Sequence, residues 1–173
     1  MFHRILVGVD DTSAARAALD RAIDLVEAGH ARLGLLSSAP HPPPFPAIGP
    51  MVLPVTRRQL DEELVRWAQG NVEAAAALVP DDVPVTKLVT RGAPVGALLR
   101  EARGGDWDLL VVGQSDRPHR WPLLSAGERL NRRSPTPVLV VHEAPTEAPR
   151  RQRSGLLGRV ARRRRRRAQV EVA

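Results

Sequence analysis

The amino-acid sequence predicts an α/β domain built on a doubly wound parallel sheet of five strands, with helices on both faces. Three observations support this fold class. Short apolar runs alternate with longer helical patterns in the order βαβαβαβαβ. The runs are almost continuously apolar, as in strands that are buried on both faces. The strongly basic part of the 173-residue chain begins only after residue 143, which separates a domain (residues 1–143) from a tail (residues 144–173).

The first forty residues predict one βαβ unit. Residues 2–9 form an apolar strand, and the four polar residues 10–13 that follow it can cap a helix. Apolar side chains recur at helical spacing from Ala15 to Val26, and Gly29 predicts the end of this helix. Residues 33–36 form the second strand, which is parallel to the first because a helix connects the two.

The remaining elements follow a proline-rich segment. Residues 40–54 hold seven of the sixteen prolines, so this segment is predicted to be a loop. A long helix over residues 57–78 comes next, with an inner face formed by Leu60, Leu64, Trp67, Val72 and Ala75. The later elements are predicted as strands at 83–89, 109–112 and 138–141, and as helices at 95–103 and around 125–132.

The net charge of +7 belongs to the tail and not to the domain. Residues 1–143 have a net charge of −1, whereas residues 144–173 carry ten arginines against two glutamates and have a net charge of +8. The basic composition therefore does not predict a nucleic-acid-binding fold. The tail is low in apolar residues and has six consecutive arginines at 162–167, a composition typical of disordered segments.

Several classes of function find no support in the residues present. The chain has no cysteine, and no two of its five histidines have the i,i+4 spacing of a zinc site, so no metal is predicted. The common catalytic and phosphate-binding glycine motifs are absent, which favours a non-catalytic domain. Asp106 and Asp108 lie at the start of the fourth strand, remote from any crevice at its end, and are predicted to be solvated. With no signal sequence and no membrane-spanning apolar segment, we expect a cytoplasmic protein.

Segments placed in order along residues 2–142 resemble the universal stress protein family. Residues 4–13 (RILVGVDDTS) are similar to the first strand and loop of that family, and residues 89–94 (VTRGAP) to the Gly-x-Pro turn after its third strand. Residues 106–113 (DWDLLVVG) resemble its fourth strand, and residues 128–130 and 134–141 its last helix and strand. The resemblance implies the sheet order 3-2-1-4-5 and an adenine-nucleotide site at the carboxyl ends of strands one and four. Open α/β sheets bind ligands at the same place.

The resemblance gives four candidate nucleotide-binding residues. These are Asp10 after the first strand, Ser38 after the second, Gly113 after the fourth and Ser125 before the last helix. Two of them have a purely structural alternative. Asp10 can serve only to cap the first helix, and Gly113 can serve only to allow a close turn after a buried strand.

The phosphate-binding loop implied by the resemblance is altered in this chain. Nucleotide-binding members carry a Gly-x2-Gly-x9-Gly-Ser/Thr run, because phosphates must approach bare backbone amides. Gly113 occupies the first glycine position here, but Asp116 and Leu124 occupy the other two. A carboxylate at such a position repels a phosphate group. The sequence therefore predicts a degraded nucleotide site.

The sequence favours a non-catalytic stress-response or regulatory domain with this degraded site. One alternative is an ATP-binding universal stress protein with slow or no hydrolysis, for which ATP is the cofactor. A second alternative makes the tail primary, as a tether to nucleic acid or to an anionic membrane surface. The fifth strand would leave an apolar edge exposed, so we also expect a homodimer that pairs through this strand.

Overall fold

The structure, a computed structural model, describes residues 1–41, 57–114 and 125–142. Its elements in chain order are β1 (Arg4–Gly8), α1 (Ser13–Gly29), β2 (Arg32–Ala39), α2 (Arg57–Ala76), β3 (Val85–Arg91), α3 (Pro94–Gly104), β4 (Leu109–Gln114), α4 (Ala126–Arg133) and β5 (Val138–His142). The strands form one parallel sheet in the order β3-β2-β1-β4-β5, which confirms the predicted fold class and strand order. Residues 42–56, Asp116, Leu124 and the tail lie outside the described residues.

Helices cover both faces of the sheet. Side chains alternate along β1, so that Ile5 and Val7 pack on the side of α1 and α2 while Leu6 packs on the side of α3 and α4. All three side chains are fully buried. Because the central strands are covered on both faces, their sequences are apolar almost throughout. Within the described residues, no helix has the length and apolar character needed to cross a membrane.

Helix α1 begins and ends close to its predicted bounds, and only the residue that ends it differs from the prediction. The N-cap is Thr12, whose hydroxyl accepts a hydrogen bond from the backbone N–H of Ala15. Gly29, predicted as the residue that stops the helix, is its last helical residue. The left-handed conformation that ends the helix is adopted by His30, with φ of 49°.

Helix α2 buries a narrower face than its sequence predicts. Val72 and Ala75 are buried as expected, together with Ala68. Trp67, which was predicted to lie on the same inner face, is 40% exposed. The small side chain of Ala68 takes the buried position in this turn, and the bulky indole lies at the border of the buried face.

The strand order reverses between β1 and β4, because β2 follows on one side of β1 and β4 lies on the other. Val7 is paired with Leu35 on one side and with Val111 on the other. The carboxyl ends of β1, β2 and β4 therefore lie next to one another at one edge of the sheet. This edge is where an open α/β sheet binds its ligand.

Candidate functional site

A cleft of about 130 Å³ opens at the point where the strand order reverses. Its described lining includes Asp10 beyond β1, Ser38 of β2 and Gly113 of β4, which are three of the four residues predicted as nucleotide-binding. Trp67 of α2 and Ala126 of α4 add walls from the two faces of the sheet. The fold thus brings together residues that are far apart in the sequence, in the place that the sequence predicted.

Asp10 has one carboxylate oxygen engaged in a local turn. Its Oδ1 accepts hydrogen bonds from the backbone N–H of Thr12 at 2.9 Å and from the Thr12 hydroxyl at 2.6 Å. Asp10 therefore does not cap α1 itself but orients Thr12, which does. Both bonds use Oδ1, and Oδ2 forms no hydrogen bond with any described residue. With respect to the described residues, Oδ2 is a suitable acceptor for a hydroxyl or amino group of a ligand.

Ser38 is buried, and its hydroxyl is engaged by the fold. It donates a hydrogen bond to the carbonyl oxygen of Gly92, in the turn between β3 and α3. Gly92 has a φ of 108°, a left-handed conformation that favours glycine, and its N–H donates to the carbonyl of Ala39. Ser38 therefore holds the turn that places the start of α3 beside the cleft. Its oxygen keeps acceptor capacity toward a ligand.

The packing of the backbone requires glycine at position 113. A Cβ atom at this position would lie 2.1 Å from the carbonyl oxygen of Ala14 and 2.7 Å from the backbone nitrogen of Ala15. The first turn of α1 thus lies directly against the backbone of β4. This contact explains why the position is glycine without invoking a phosphate group.

Ser125 is the N-cap of α4 and is not part of the described cleft lining. Its hydroxyl accepts a hydrogen bond from the N–H of Glu128 at 3.1 Å, and the Glu128 carboxylate accepts one from the N–H of Ser125 at 2.7 Å. This reciprocal pair is a capping box. The structure therefore gives the Ser125 hydroxyl a helix-capping role, and the neighbouring Ala126 lines the cleft in its place.

Among the cleft residues that the sequence did not predict as site residues, Ser37 and Trp67 can contribute to ligand binding. Ser37 is almost fully buried, lines the cleft and accepts a 3.5 Å hydrogen bond from the side-chain amide of Asn71 in α2. Trp67, one helical turn before Asn71, also lines the cleft. The predicted second strand ended at Leu36, whereas β2 continues to Ala39 and carries its two serines to the edge of the sheet where the cleft opens.

An ion pair fastens α2 beside this edge. Arg91, the last residue of β3, donates through its guanidinium to the carboxylate of Asp61 in α2. The hydrogen bond from Arg91 lowers the pKa of Asp61, and the bond to Asp61 raises the pKa of Arg91. The pair stays charged at neutral pH and holds the first turns of α2 near the carboxyl end of β3.

Comparisons with known proteins identify a family whose solved structures share this fold. The sequence profile of the universal stress protein family matches residues 1–142. Universal stress protein UspA from Lactobacillus plantarum has 21% identity and a TM-score of 0.60, over 80% of this chain and 97% of that chain. A universal stress protein in complex with cAMP has 26% identity and a TM-score of 0.51, over 83% and 99% of the two chains. A universal stress protein family member from Burkholderia pseudomallei has 26% identity and a TM-score of 0.50, over 80% and 94%. This chain therefore belongs to the universal stress protein family.

Proposed function

We propose that this protein is a regulatory domain whose cleft binds an adenine nucleotide, mainly through the nucleoside part, without breaking a bond of the ligand. The observation that carries the proposal is the convergence of Asp10, Ser38 and Gly113 on one cleft at the reversal of strand order. A relative with 26% identity is described as a complex with cAMP, which supports the same class of ligand for this chain.

The chemistry of the described lining suits a nucleoside. Apolar side chains, among them Val9, Val95 and Leu98, provide a surface that can bury a heterocyclic ring. The Oδ2 atom of Asp10, which has no hydrogen bond with a described residue, is an acceptor for the hydroxyl groups of a ribose. The nucleoside part of the ligand would therefore gain contacts of both kinds within one cleft.

We propose that the phosphate part of the ligand contributes less binding free energy than the nucleoside part. Asp116 and Leu124 stand in the sequence where nucleotide-binding members of the family have glycine. An acidic side chain near a triphosphate costs binding free energy, and the cost rises with the charge of the ligand. We therefore expect adenosine and AMP to bind at least as well as ATP, which combines the regulatory hypothesis with the nucleotide-binding one.

The described lining offers one titratable side chain, Asp10, and that carboxylate is partly engaged with Thr12. General acid–base catalysis needs a group that is positioned to exchange a proton with the reacting atoms. The engagement of Asp10 in a structural turn supports a binding role for it rather than a catalytic one.

The test is a calorimetric titration of the full chain with adenosine, AMP, cAMP and MgATP. Adenosine is the decisive ligand because it is uncharged, so the arginine tail cannot attract it. Ribose 5-phosphate serves as the control for phosphate binding by the tail. We expect adenosine and AMP to bind within about tenfold of each other, and no ADP to form from ATP. Absence of adenosine binding, or turnover of ATP, would contradict the proposal.

We further propose that the protein is a homodimer that pairs through β5. This strand is an edge of the described sheet, and its four apolar residues, 138–141, are each only partly buried. The backbone carbonyl of Pro137 accepts a hydrogen bond from the N–H of Leu110 in β4, so the backbone groups of Pro137 face the sheet. Because the direction alternates along a strand, the N–H and C=O groups of Val138 and of every second residue after it point away from the sheet. Val140 is one of these residues, and its N–H is available to a second copy of the strand.

Matched proline substitutions on the two edges of the sheet test the dimer. Val140→Pro removes an outward N–H of β5 without removing a bond to β4, and should convert the dimer into a monomer in light-scattering measurements. Val89→Pro is the control on β3, where the bond from Leu33 to the Pro84 carbonyl places the N–H of Val89 on the outer side. A monomeric wild type, or a Val140→Pro variant that stays dimeric, would contradict pairing through β5.

A further inference from the structure

Trp67 is an aromatic side chain that is left partly exposed inside the candidate cleft. Its exposed fraction is 40%, although it lies one residue before the fully buried Ala68 on α2. A tryptophan has the largest apolar surface of any side chain, and burying it stabilises a fold strongly. Here the indole lines the cleft instead of filling the core. Its apolar surface is therefore available to a ligand in the cleft.

The position of Trp67 along α2 places it near the carboxyl end of β2. Asn71, one turn further along the same helix, reaches the hydroxyl of Ser37. Asp61, earlier in the helix, is paired with Arg91 at the end of β3. Trp67 lies between these two attachments, which fix the helix against the sheet on both sides of the indole. The part of α2 that carries the indole is thus fixed against the sheet before any ligand binds.

The other walls of the cleft complete a site for a flat ring. Pro94 and Val95, at the start of α3, provide an apolar surface from a separate element, and Ser37 and Ser38 add polar atoms at the end of β2. Asp10, whose Oδ1 is engaged by Thr12, comes from the end of β1 and offers Oδ2 as an acceptor. The cleft therefore combines aromatic and apolar groups with an acceptor for hydroxyl groups.

We propose that Trp67 stacks on the heterocyclic base of the ligand and sets a preference for purine over pyrimidine nucleosides. This inference rests on the proposed nucleotide-binding function and adds a specificity-determining residue to it. Stacking of a base on an aromatic side chain is a strong and geometrically tolerant interaction. The larger ring system of a purine gains more contact with an indole than a pyrimidine does.

The first test compares the binding of adenosine and cytidine to the full-length wild type and to Trp67→Ala, Trp67→Phe and Leu78→Ala. Trp67→Ala should weaken adenosine binding about 5- to 100-fold and reduce the preference over cytidine. Trp67→Phe should keep most of the affinity, because a smaller aromatic ring still stacks. Leu78 is the matched control, since it is 42% exposed in the turn that follows α2 and does not line this cleft.

Tryptophan fluorescence provides a second readout that does not depend on the stability of the alanine variant. The chain has three tryptophans, so the signal of Trp67 is the difference between the wild type and Trp67→Phe. Adenosine should quench the wild type and leave the emission of Trp67→Phe unchanged. Equal adenosine affinity of the wild type and Trp67→Ala, or equal quenching of the wild type and Trp67→Phe, would overturn the stacking role. A wild type that binds no adenosine would instead remove the proposed function itself.

Discussion

Gly113 and Ala14 are in backbone contact, and a Cβ on Gly113 would lie 2.1 Å from the Ala14 carbonyl oxygen. The contact joins the end of β4 to the first turn of α1, on which Thr12 and Asp10 depend for their position beside the cleft. One glycine therefore sets the distance between two walls of the site.

Replacing Gly113 with alanine should destabilise the fold, because two backbone segments would have to move apart. We expect a loss of about 1–3 kcal/mol in the free energy of unfolding, measured by urea denaturation. Gly70→Ala is the control, since Gly70 lies in α2 with no atom within 4 Å of an added Cβ. That change should stabilise the helix by about 0.5–1 kcal/mol. A Gly113→Ala variant as stable as the wild type would show that the contact is not required.

Asp108 should make the stability of the protein sensitive to acid. Its carboxylate accepts hydrogen bonds from the backbone N–H groups of His3 at 2.8 Å and Arg4 at 3.0 Å. The bond from His3, reinforced by the bond from Arg4, lowers the pKa of Asp108, while partial burial acts in the opposite direction. Because the folded-state pKa is lowered, this stabilisation is complete above about pH 4 and is lost as the pH falls below that value.

The measurement is the unfolding midpoint in urea as a function of pH for the wild type and Asp108→Asn. We expect the wild type to be the more stable protein at pH 7 and the difference to shrink below about pH 4. Asp106→Asn is the control, since Asp106 has an exposed side chain and a φ of 52° that asparagine tolerates well. A difference between the wild type and Asp108→Asn that does not change with pH would contradict the role of the carboxylate.

Ser125→Ala should lower the stability of α4 and leave adenosine binding unchanged. The Ser125 hydroxyl caps the helix through the N–H of Glu128, and loss of such a cap costs about 0.5–2 kcal/mol. Thermal unfolding and an adenosine titration of the same sample measure both effects. Ser125→Thr keeps the capping oxygen and should behave like the wild type. If Ser125→Ala binds adenosine more weakly at unchanged stability, Ser125 contributes to nucleotide binding and the capping role alone is wrong.

The arginine tail should bind polyanions independently of the cleft. Replacing the six arginines at 162–167 with glutamine in the full chain removes most of the +8 charge of residues 144–173. On duplex DNA, the slope of log K against log salt should become shallower by up to about 5, since each phosphate contact contributes about 0.9. The binding of the protein to anionic vesicles should weaken in the same way. Equal binding by the two proteins would remove the tether hypothesis.

The sheet could be predicted closely from the sequence because its strands are buried on both faces. Every residue from Ile5 to Val7 is apolar and fully buried, so the pattern alone indicates a central strand. The end of β2 was placed too early because Ser37 and Ser38 are polar. They are nevertheless buried, since each hydroxyl has a hydrogen-bonding partner, Asn71 for Ser37 and Gly92 for Ser38.

The candidate site could be predicted in its location but not in the role of each residue. The end of β1 and the end of β4 follow from the fold class, so the sequence predicts the positions of Asp10 and Gly113 at the edge of the sheet where the cleft opens. The partners of a polar side chain depend on tertiary contacts that have no signature in the sequence. The capping box of Ser125 is an exception, because a serine three residues before a glutamate is its sequence signature, whereas the resemblance to a nucleotide-binding loop predicts a different role for Ser125.

The spacing of Trp67 along α2 predicts a position in the core. Hydrophobic periodicity identifies the residues that face inward, but it does not distinguish a filled core from the wall of a cleft. The buried positions of this helix belong to smaller side chains, Ala68, Val72 and Ala75. Only the packed structure shows that the indole borders the cleft.

The most direct test of this account is an NMR titration of the full chain with adenosine, which follows each backbone amide. We predict that the largest chemical-shift changes occur at Asp10, Ser38 and Gly113, with smaller changes on α2 around Trp67, and that the tail amides do not respond. No chemical-shift change at the cleft at saturating adenosine, or changes confined to residues 144–173, would contradict the central claim that the reversal of strand order creates a nucleoside site.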